Sequence, residues 1–225
     1  MTVYIAPNSF PDYADTLSLG HKYGAYAGEI KETVKTESVI IGAGKYGTGA
    51  AIFWDGIGNK HIVLPPFPIA ENKVSAGKLD ASVLYEVLEK RYVIGVVLVA
   101  WGSYALGIFD AGNLVAWKTG TGHIHKKHKK GGRSQKRFAR RTEEQKKDFL
   151  RRVGNRIEER FGSFAPDCVF FGGNRLILNP LVQESKYLQT KASKISPRIL
   201  HVRYADREAL AGSLAEINKS LVFTF

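Results

Sequence analysis

Three apolar runs lie close together in "YVIGVVLVAWGSYALGIFDAGNLVAWKT", residues 92–119. Their β-branched and aromatic residues predict strands over Tyr92–Trp101, Tyr104–Asp110 and Leu114–Thr119. The turns between them, at Gly102-Ser103 and "DAGN", are too short for a crossover connection. We therefore predict an antiparallel three-stranded meander here.

A long amphipathic helix is predicted after residue 141. Thr142 and Gln145 have the spacing of a capping box, which indicates that the helix begins there. Gly162 is typical of a helix end. Apolar residues recur at every fourth position between these signals, at Phe149, Val153, Ile157 and Phe161.

The rest of the chain alternates strands and helices. We predict a strand over "DCVFF", a helix over about 180–190, a strand over "ILHVRY" and a last helix from Asp206. A meander followed by helix, strand, helix, strand and helix is typical of the α/β, ribonuclease H-like fold. That fold is a mixed sheet with helices on both faces.

The N-terminal third has a different character. Residues 1–75 are rich in Gly, Pro, Tyr and β-branched residues, and "SVIIGAG", "GAAIFW" and "KHIVLPPFP" predict short strands. A helical pattern follows from Leu79. We therefore expect a small β-rich N-terminal segment over residues 1–75 and a second domain over residues 76–225.

Positive charge is concentrated in "HIHKKHKKGGRSQKRFARR", residues 123–141, which has nine lysines and arginines and no acid. The whole chain has a net charge of +12, whereas outside this stretch 24 basic and 21 acidic residues leave only +3. A local patch of this kind fits a polyanion, and nucleic acid is the commonest one. A solubilising basic linker is the alternative.

Membrane and secretory signals are absent from the sequence. The longest apolar run, "YVIGVVLVAW", is half the length of a membrane span. The start, "MTVYIAPNSF", lacks the features of a signal peptide, so we expect a cytoplasmic protein without membrane contacts.

The basic stretch combines phosphate-binding and uncharged residues. Gly131 and Gly132 allow positive φ and close backbone approach, and the Gln135 amide beside Ser134 can orient a water without titrating. The predicted RNA-binding residues are Lys126, Lys127, His128, Lys129, Lys130, Arg133, Lys136, Arg137, Arg140 and Arg141.

These residues carry a family resemblance. "KKHKKGGRSQKRFARRTEEQKKDFLRRVG", residues 126–154, resembles the catalytic loop and following helix in the middle domain of archaeal and eukaryotic class 1 peptide-chain release factors. That domain is ribonuclease H-like, and the resemblance covers about residues 90–165. Arg133 stands where those factors have glutamine, and Gln135 follows two residues later. This shifted pattern is similar to the Vms-type release factors of ribosome quality control and their bacterial relatives.

The resemblance implies a peptidyl-tRNA hydrolase acting on stalled large ribosomal subunits. Gln135 would position the attacking water, with Gly131, Gly132 and Ser134 completing the catalytic segment. Ribosomal RNA, the large subunit and peptidyl-tRNA would be partners, and no cofactor is implied. A ribosome- or RNA-binding factor without catalysis is the alternative, and the oligomeric state is left open.

Three other sites are weaker interpretations. His123, His125 and His128 are surrounded by lysines that would repel a metal ion. "GAGKYG" at 42–47 fits a dinucleotide-binding pattern after a predicted strand, but no helix or distal acid is predicted after it. A ribonuclease H-type nuclease needs clustered carboxylates, and the predicted strand 92–101 has none. The remaining candidates, Asp110, Asp167 and Asp206, occupy turn and helix-start positions.

Overall fold

The computed structural model describes residues 1–17, 24–55, 57–124 and 133–225, with the backbone alone at residues 25 and 133–136. It divides into two compact units, residues 1–90 with 218–225 and residues 91–217. The strands are β1 (Thr2–Ile5), β2 (Ala50–Trp54), β3 (Lys60–Leu64), β4 (Lys73–Ser75), β5 (Val93–Ala100), β6 (Ser103–Asp110), β7 (Asn113–Thr121), β8 (Cys168–Gly173), β9 (Ile195–Leu200) and β10 (Leu221–Thr224). The helices are α1 (Gly24–Val34), α2 (Glu37–Tyr46), α3 (Ser82–Glu89), α4 (Arg133–Phe164), α5 (Arg175–Glu184), α6 (Lys186–Thr190) and α7 (Arg207–Ile217).

The first unit is built on an antiparallel sheet in the order β10-β3-β2-β1-β4. Alternate residues of its strands, such as Val3, Ile52 and Ile62, form a buried core with Ile30 of α1 and Val39 of α2. This sheet confirms that the N-terminal segment is rich in β-structure.

One predicted strand of this unit is wrong. "SVIIGAG" lies in helix α2, where Val39, Ala43 and Tyr46 are buried at helical spacing. Gly47 ends the helix with a left-handed φ of 66°. The "GAGKYG" motif is therefore the end of a helix and not a strand-to-helix turn, so the context that a dinucleotide site needs does not exist here.

The division between the units differs from the expected one after residue 75. The Tyr4 hydroxyl donates to the Asp80 carbonyl at 2.7 Å, and the Asp80 N–H donates to Thr2 Oγ1 at 3.0 Å. These bonds tie the segment before α3 to β1. At the other end, β10 pairs with β3, with Leu221 opposite Leu64. Sequence periodicity did not indicate β10, because the strand has only four residues.

The second unit contains the predicted meander. Its sheet has the order β7-β6-β5-β8-β9; β5, β6 and β7 are antiparallel neighbours, and β8 and β9 run parallel to β5. Leu106 and Ile108 of β6 pack against Phe149 and Val153 of α4. On the opposite face, a Cβ on Gly107 would stand only 2.8 Å from Leu210 of α7. Helices thus cover both faces of a mixed sheet, and the ribonuclease H-like prediction is confirmed.

Two helix boundaries of this unit were predicted wrongly. Helix α4 begins at Arg133, nine residues before the predicted capping box. Thr142 lies inside it and donates its hydroxyl to the Phe138 carbonyl at 2.9 Å, so it is not an N-cap. The helix predicted over 180–190 is two helices, separated where the Ser185 side chain caps α6.

The remaining elements of the second unit are close to the prediction. Strand β8 overlaps "DCVFF", and α7 follows Asp206 as expected. The strand predicted over "ILHVRY" is displaced: β9 covers Ile195–Leu200, so only the first two predicted residues lie in it. Among the described residues, no helix combines the length and the apolar character needed to cross a membrane.

We predict that Gly173→Ala lowers the free energy of unfolding by about 2–4 kcal/mol. Gly173 has a φ of +105°, and a Cβ there would stand 2.2 Å from the Val99 carbonyl oxygen. Gly162→Ala is the matched control, because Gly162 lies in α4 and a Cβ there meets nothing within 4 Å. The control should stabilise the protein by about 0.5–1 kcal/mol in urea unfolding. Equal effects of both variants would contradict this account of β8.

Candidate functional site

The basic stretch joins β7 to α4. Strand β7 ends at Thr121 and α4 begins at Arg133, so the connection is shorter than the twenty residues expected from the sequence. Arg133, Ser134, Gln135 and Lys136 lie in the first turns of α4. Seven predicted site residues lie outside the described part of the chain, namely Lys126, Lys127, His128, Lys129, Lys130, Gly131 and Gly132.

Helix α4 has two halves with different environments. Residues 137–148 include no buried side chain, whereas Phe149, Val153, Ile157 and Phe161 are almost completely buried. At 1.5 Å per residue, the half before Phe149 is about 24 Å long. The segment with Gln135 is thus carried at the start of a solvated half-helix, whose other half is anchored in a core.

Cations outnumber acids on this solvated half. Arg140 pairs with Glu144 at 3.1 Å, and Lys146 pairs with Glu143 at 2.7 Å. Arg137 and Arg141 are exposed, and neither forms an ion pair with another described residue. Guanidinium groups without an acidic neighbour are available to phosphate oxygens.

An aromatic clamp, formed by Trp101, Tyr104 and Phe149, holds α4 where its solvated half begins. The Phe149 ring lies 6.4 Å from Trp101 and 6.2 Å from Tyr104, measured between ring centroids. Lys146 Nζ lies 5.1 Å from the centroid of the Trp101 ring. The clamp thus links the β5–β6 turn to a single turn of α4, at residues 146 and 149.

The same place holds the end of the basic connection that follows β7. The Gly122 N–H donates to the Gly102 carbonyl at 2.9 Å, and Gly102 has a φ of +92° that favours glycine. A Cβ on Gly122 would stand 2.6 Å from Phe149 Cδ2. The end of the basic connection that follows β7 is therefore packed against Phe149, at the first buried turn of α4. The sequence analysis missed Trp101 and Lys146, although the glycines at 102 and 122 were a signal of close packing.

The carboxylates considered for a nuclease have structural partners. Asp110 accepts hydrogen bonds from Arg91 at 2.7 and 2.6 Å, which lowers the pKa of the Asp110 carboxyl. Asp167 accepts from the Val93 N–H at 2.9 Å, and Asp206 accepts from the Ala209 N–H at 2.8 Å. These contacts agree with the turn and cap roles expected from their positions.

Other chemistry is limited in the described part of the chain. No group of three or more His, Cys, Asp or Glu side chains there is arranged to hold a metal ion. Of the three histidines in the stretch, His123 is described and exposed, whereas His125 and His128 are outside the description. Burial raises the pKa of Cys168 to about 12, so its thiol is protonated at neutral pH and is a poor nucleophile.

The two units differ strongly in charge. Residues 91–217 contain 24 basic and 11 acidic residues, a net of +13. The first unit contains 9 basic and 10 acidic residues, a net of −1. The whole positive excess of the protein thus belongs to the unit that contains α4, which is the distribution expected of a nucleic-acid-binding domain.

This chain is similar to several proteins of translation. A peptide chain release factor subunit 1 from Aeropyrum pernix is 27% identical over 141 residues, covering 60% of this chain and 38% of that protein. The crystal structure of the archaeal translation termination factor aRF1 aligns with a TM-score of 0.46 at 15% identity, covering 97% of this chain and 64% of that one. Pelota from Archaeoglobus fulgidus aligns with a TM-score of 0.32 at 10% identity, covering 75% and 51%. This chain therefore spans less than two thirds of the length of each of these relatives.

A family model, Actinobacteria/Chloroflexi VLRF1 release factor, matches residues 92–222. The match is longer than half the chain and includes the meander, the glycine pair, Gln135 and all of α4. The chain belongs to the Actinobacteria/Chloroflexi VLRF1 release factor family.

Proposed function

We propose that this protein is a cytoplasmic peptidyl-tRNA hydrolase that releases nascent peptides from stalled large ribosomal subunits. Its partners are the large subunit, the ribosomal RNA and the peptidyl-tRNA, and it uses no cofactor. The observation that carries the proposal is the position of the Gly131–Gln135 segment. In the sequence, this segment follows a run of lysines and leads into the first turn of α4, inside the region matched by a release factor family.

The reaction is hydrolysis of the ester between the peptide and the terminal ribose of tRNA. A water oxygen attacks the carbonyl carbon, the bond to the ribose oxygen breaks, and a proton passes to that oxygen. Because the ester is already activated, the catalyst needs to position the water and stabilise the developing oxyanion. A glutamine amide both accepts and donates hydrogen bonds, so Gln135 can hold the water without changing its protonation state.

The surrounding residues deliver this amide into an RNA-lined site. Gly131 and Gly132 let the backbone approach RNA closely, and Ser134 adds a hydroxyl beside Gln135. The cations before and after them, including Lys129, Arg137 and Arg141, neutralise phosphates. The aromatic clamp fixes the direction of α4, and therefore the place that residue 135 can reach.

A non-catalytic RNA-binding factor is the second candidate. The observation that favours it is Arg133, which stands where the resembled release factors have glutamine. Such a factor would use the basic connection only to dock on the ribosome. Both candidates bind ribosomes in a salt-sensitive manner, so turnover separates them and affinity does not.

We predict that Gln135→Ala slows release of labelled peptide from purified large-subunit–peptidyl-tRNA complexes by about 10²–10³-fold. Affinity for the complexes should stay within about twofold, because the phosphate contacts remain. Gln145→Ala is the control, since it removes an amide from the same helix nearly three turns away. Arg133→Gln should not restore Gln135→Ala, because positions two residues apart lie about 200° apart around a helix.

Two results would contradict the catalytic role of Gln135. Unchanged release by Gln135→Ala would remove this residue from the mechanism. No release by the native protein, with binding intact, would favour the second candidate.

A second prediction concerns the cations of the connection. Replacing Lys126, Lys127, Lys129 and Lys130 by alanine should flatten the slope of log affinity against log salt by about three, if each lysine neutralises one phosphate. The turnover rate of bound complexes should change little. The measurement is ribosome binding over a range of KCl concentrations. An unchanged slope would show that these lysines do not contact phosphates.

A third prediction tests the aromatic clamp. Trp101→Ala should lower the turnover rate roughly 10- to 100-fold and leave KM within about twofold, because a small misplacement of the catalytic segment is costly. The melting temperature should fall little, since Trp101 is 38% exposed. Trp101→Phe keeps a ring beside Phe149 and should retain most of the rate. A loss confined to KM would indicate that Trp101 serves binding instead.

A further inference from the structure

A second exposed aromatic surface lies on the sheet face opposite α4. On β7, Ala116 packs against the core that contains α4, whereas the next residue, Trp117, lies on the other face, opposite Gly107. Val115, at a bulge in the same strand, is also exposed. Trp117 is 41% exposed. The neighbouring strands β5 and β6 are buried, whereas β7 exposes a large aromatic residue beside a valine. Exposed apolar side chains that lie together indicate a binding surface.

Helix α7 places an arginine on this tryptophan. Trp117 pairs with Gly107 across β6 and β7, and the missing side chain of Gly107 makes room for Leu210. This packing brings the first turn of α7 beside β7, where the Arg207 guanidinium lies 4.6 Å from the centroid of the Trp117 ring. The stack of ring and guanidinium is therefore a product of the fold.

A second pair continues the surface along the chain before α7. Tyr204 is 60% exposed, and the guanidinium carbon of Arg203 lies 5.3 Å from the centroid of its ring. Neither Arg203 nor Arg207 forms an ion pair with another described residue. The nearby Asp206 carboxylate accepts the Ala209 N–H, and Glu208 is exposed in the first turn of α7. Two guanidinium groups thus lie beside two exposed rings without a carboxylate partner in the part of the chain described.

We propose that Trp117, Tyr204, Arg203 and Arg207 form a surface that binds unpaired RNA bases. Bases stack on exposed aromatic rings and on the planes of guanidinium groups, and the same guanidinium groups attract the phosphates. The net charge of +13 in residues 91–217 favours RNA over a protein partner. The surface is separate from the Gln135 segment and is independent of hydrolysis.

The test measures affinity for RNA with variants of the full chain. Fluorescence anisotropy follows binding of a labelled oligouridylate of about twelve nucleotides, with a duplex RNA of similar length as the comparison. A salt concentration of about 0.3 M KCl weakens contacts made by charge alone, including those of the basic connection. Trp117→Ala and Tyr204→Ser each remove a ring, and Trp117→Phe keeps one. Val115→Ala removes an exposed apolar side chain from the same strand.

Each loss of a ring should weaken binding to the oligouridylate roughly 5- to 100-fold, because one stacked base is lost. Duplex binding should be unchanged, since its bases are already paired. Val115→Ala and Trp117→Phe should stay within about threefold of the native protein. Tyr204→Ser keeps the test informative if Trp117→Ala unfolds, because Tyr204 is mostly exposed.

Two outcomes would overturn this proposal. In the first, Tyr204→Ser and a folded Trp117→Ala both bind the oligouridylate as tightly as the native protein does. A protein partner would then be the better interpretation of the surface. An equal loss with Val115→Ala would show a general structural effect. Gln135→Ala separates the two proposals: it should slow peptide release and leave oligouridylate binding intact.

Discussion

The burial of Phe149 is the constraint on which the arrangement of the site depends. Phe149, Val153, Ile157 and Phe161 fix one half of α4 in the core of the second unit. Each buried side chain of this size contributes about 1.5–3 kcal/mol. The solvated half has only exposed ion pairs such as Arg140–Glu144, which contribute about 0.3–0.5 kcal/mol each. A helix of sixteen residues would be marginal alone, so this half is helical because it continues a half that is already anchored.

That dependence explains why the aromatic clamp lies where it does. A half-helix about 24 Å long turns a small rotation at its base into a large displacement at its start. Trp101 and Tyr104 contact Phe149 at the first buried turn, where resistance to such rotation is most effective. Gly122, which follows β7, packs against the same ring. The position of residue 135 thus depends on side chains more than three helical turns away from it.

The sequence predicts the second unit better than the first for physical reasons. The meander could be predicted because three long apolar runs are separated by short glycine turns, and each strand has partners near in sequence. Helix α2 could not, because Val39, Ile40 and Ile41 favour strands. The face that α2 buries, which includes Val39 and Tyr46, packs in a core with distant residues of β1 and β3. The start of α4 could not be predicted, because Thr142 and Gln145 have the spacing of a capping box inside a helix that begins earlier, among good helix-forming residues. The clamp depends on contacts between β5–β6 and α4 that no local pattern encodes.

Because α4 begins at Arg133, the backbone of Gln135 is helical and does not belong to the glycine-containing connection. From the sequence, Gln135 belongs to a connection whose glycines bring it to RNA. In the structure its backbone is already helical, directly after the glycine pair. A water-orienting amide is effective only if its position is defined, since catalysis by positioning is lost with small displacements. A helical turn defines that position better than a glycine-rich segment can. In this chain the glutamine is at position 135, whereas the resembled release factors have theirs at the position equivalent to 133. This difference is compatible with catalysis if the ester approaches a different side of the helix. It is not compatible with an active-site geometry identical to that of factors whose glutamine directly follows the glycines.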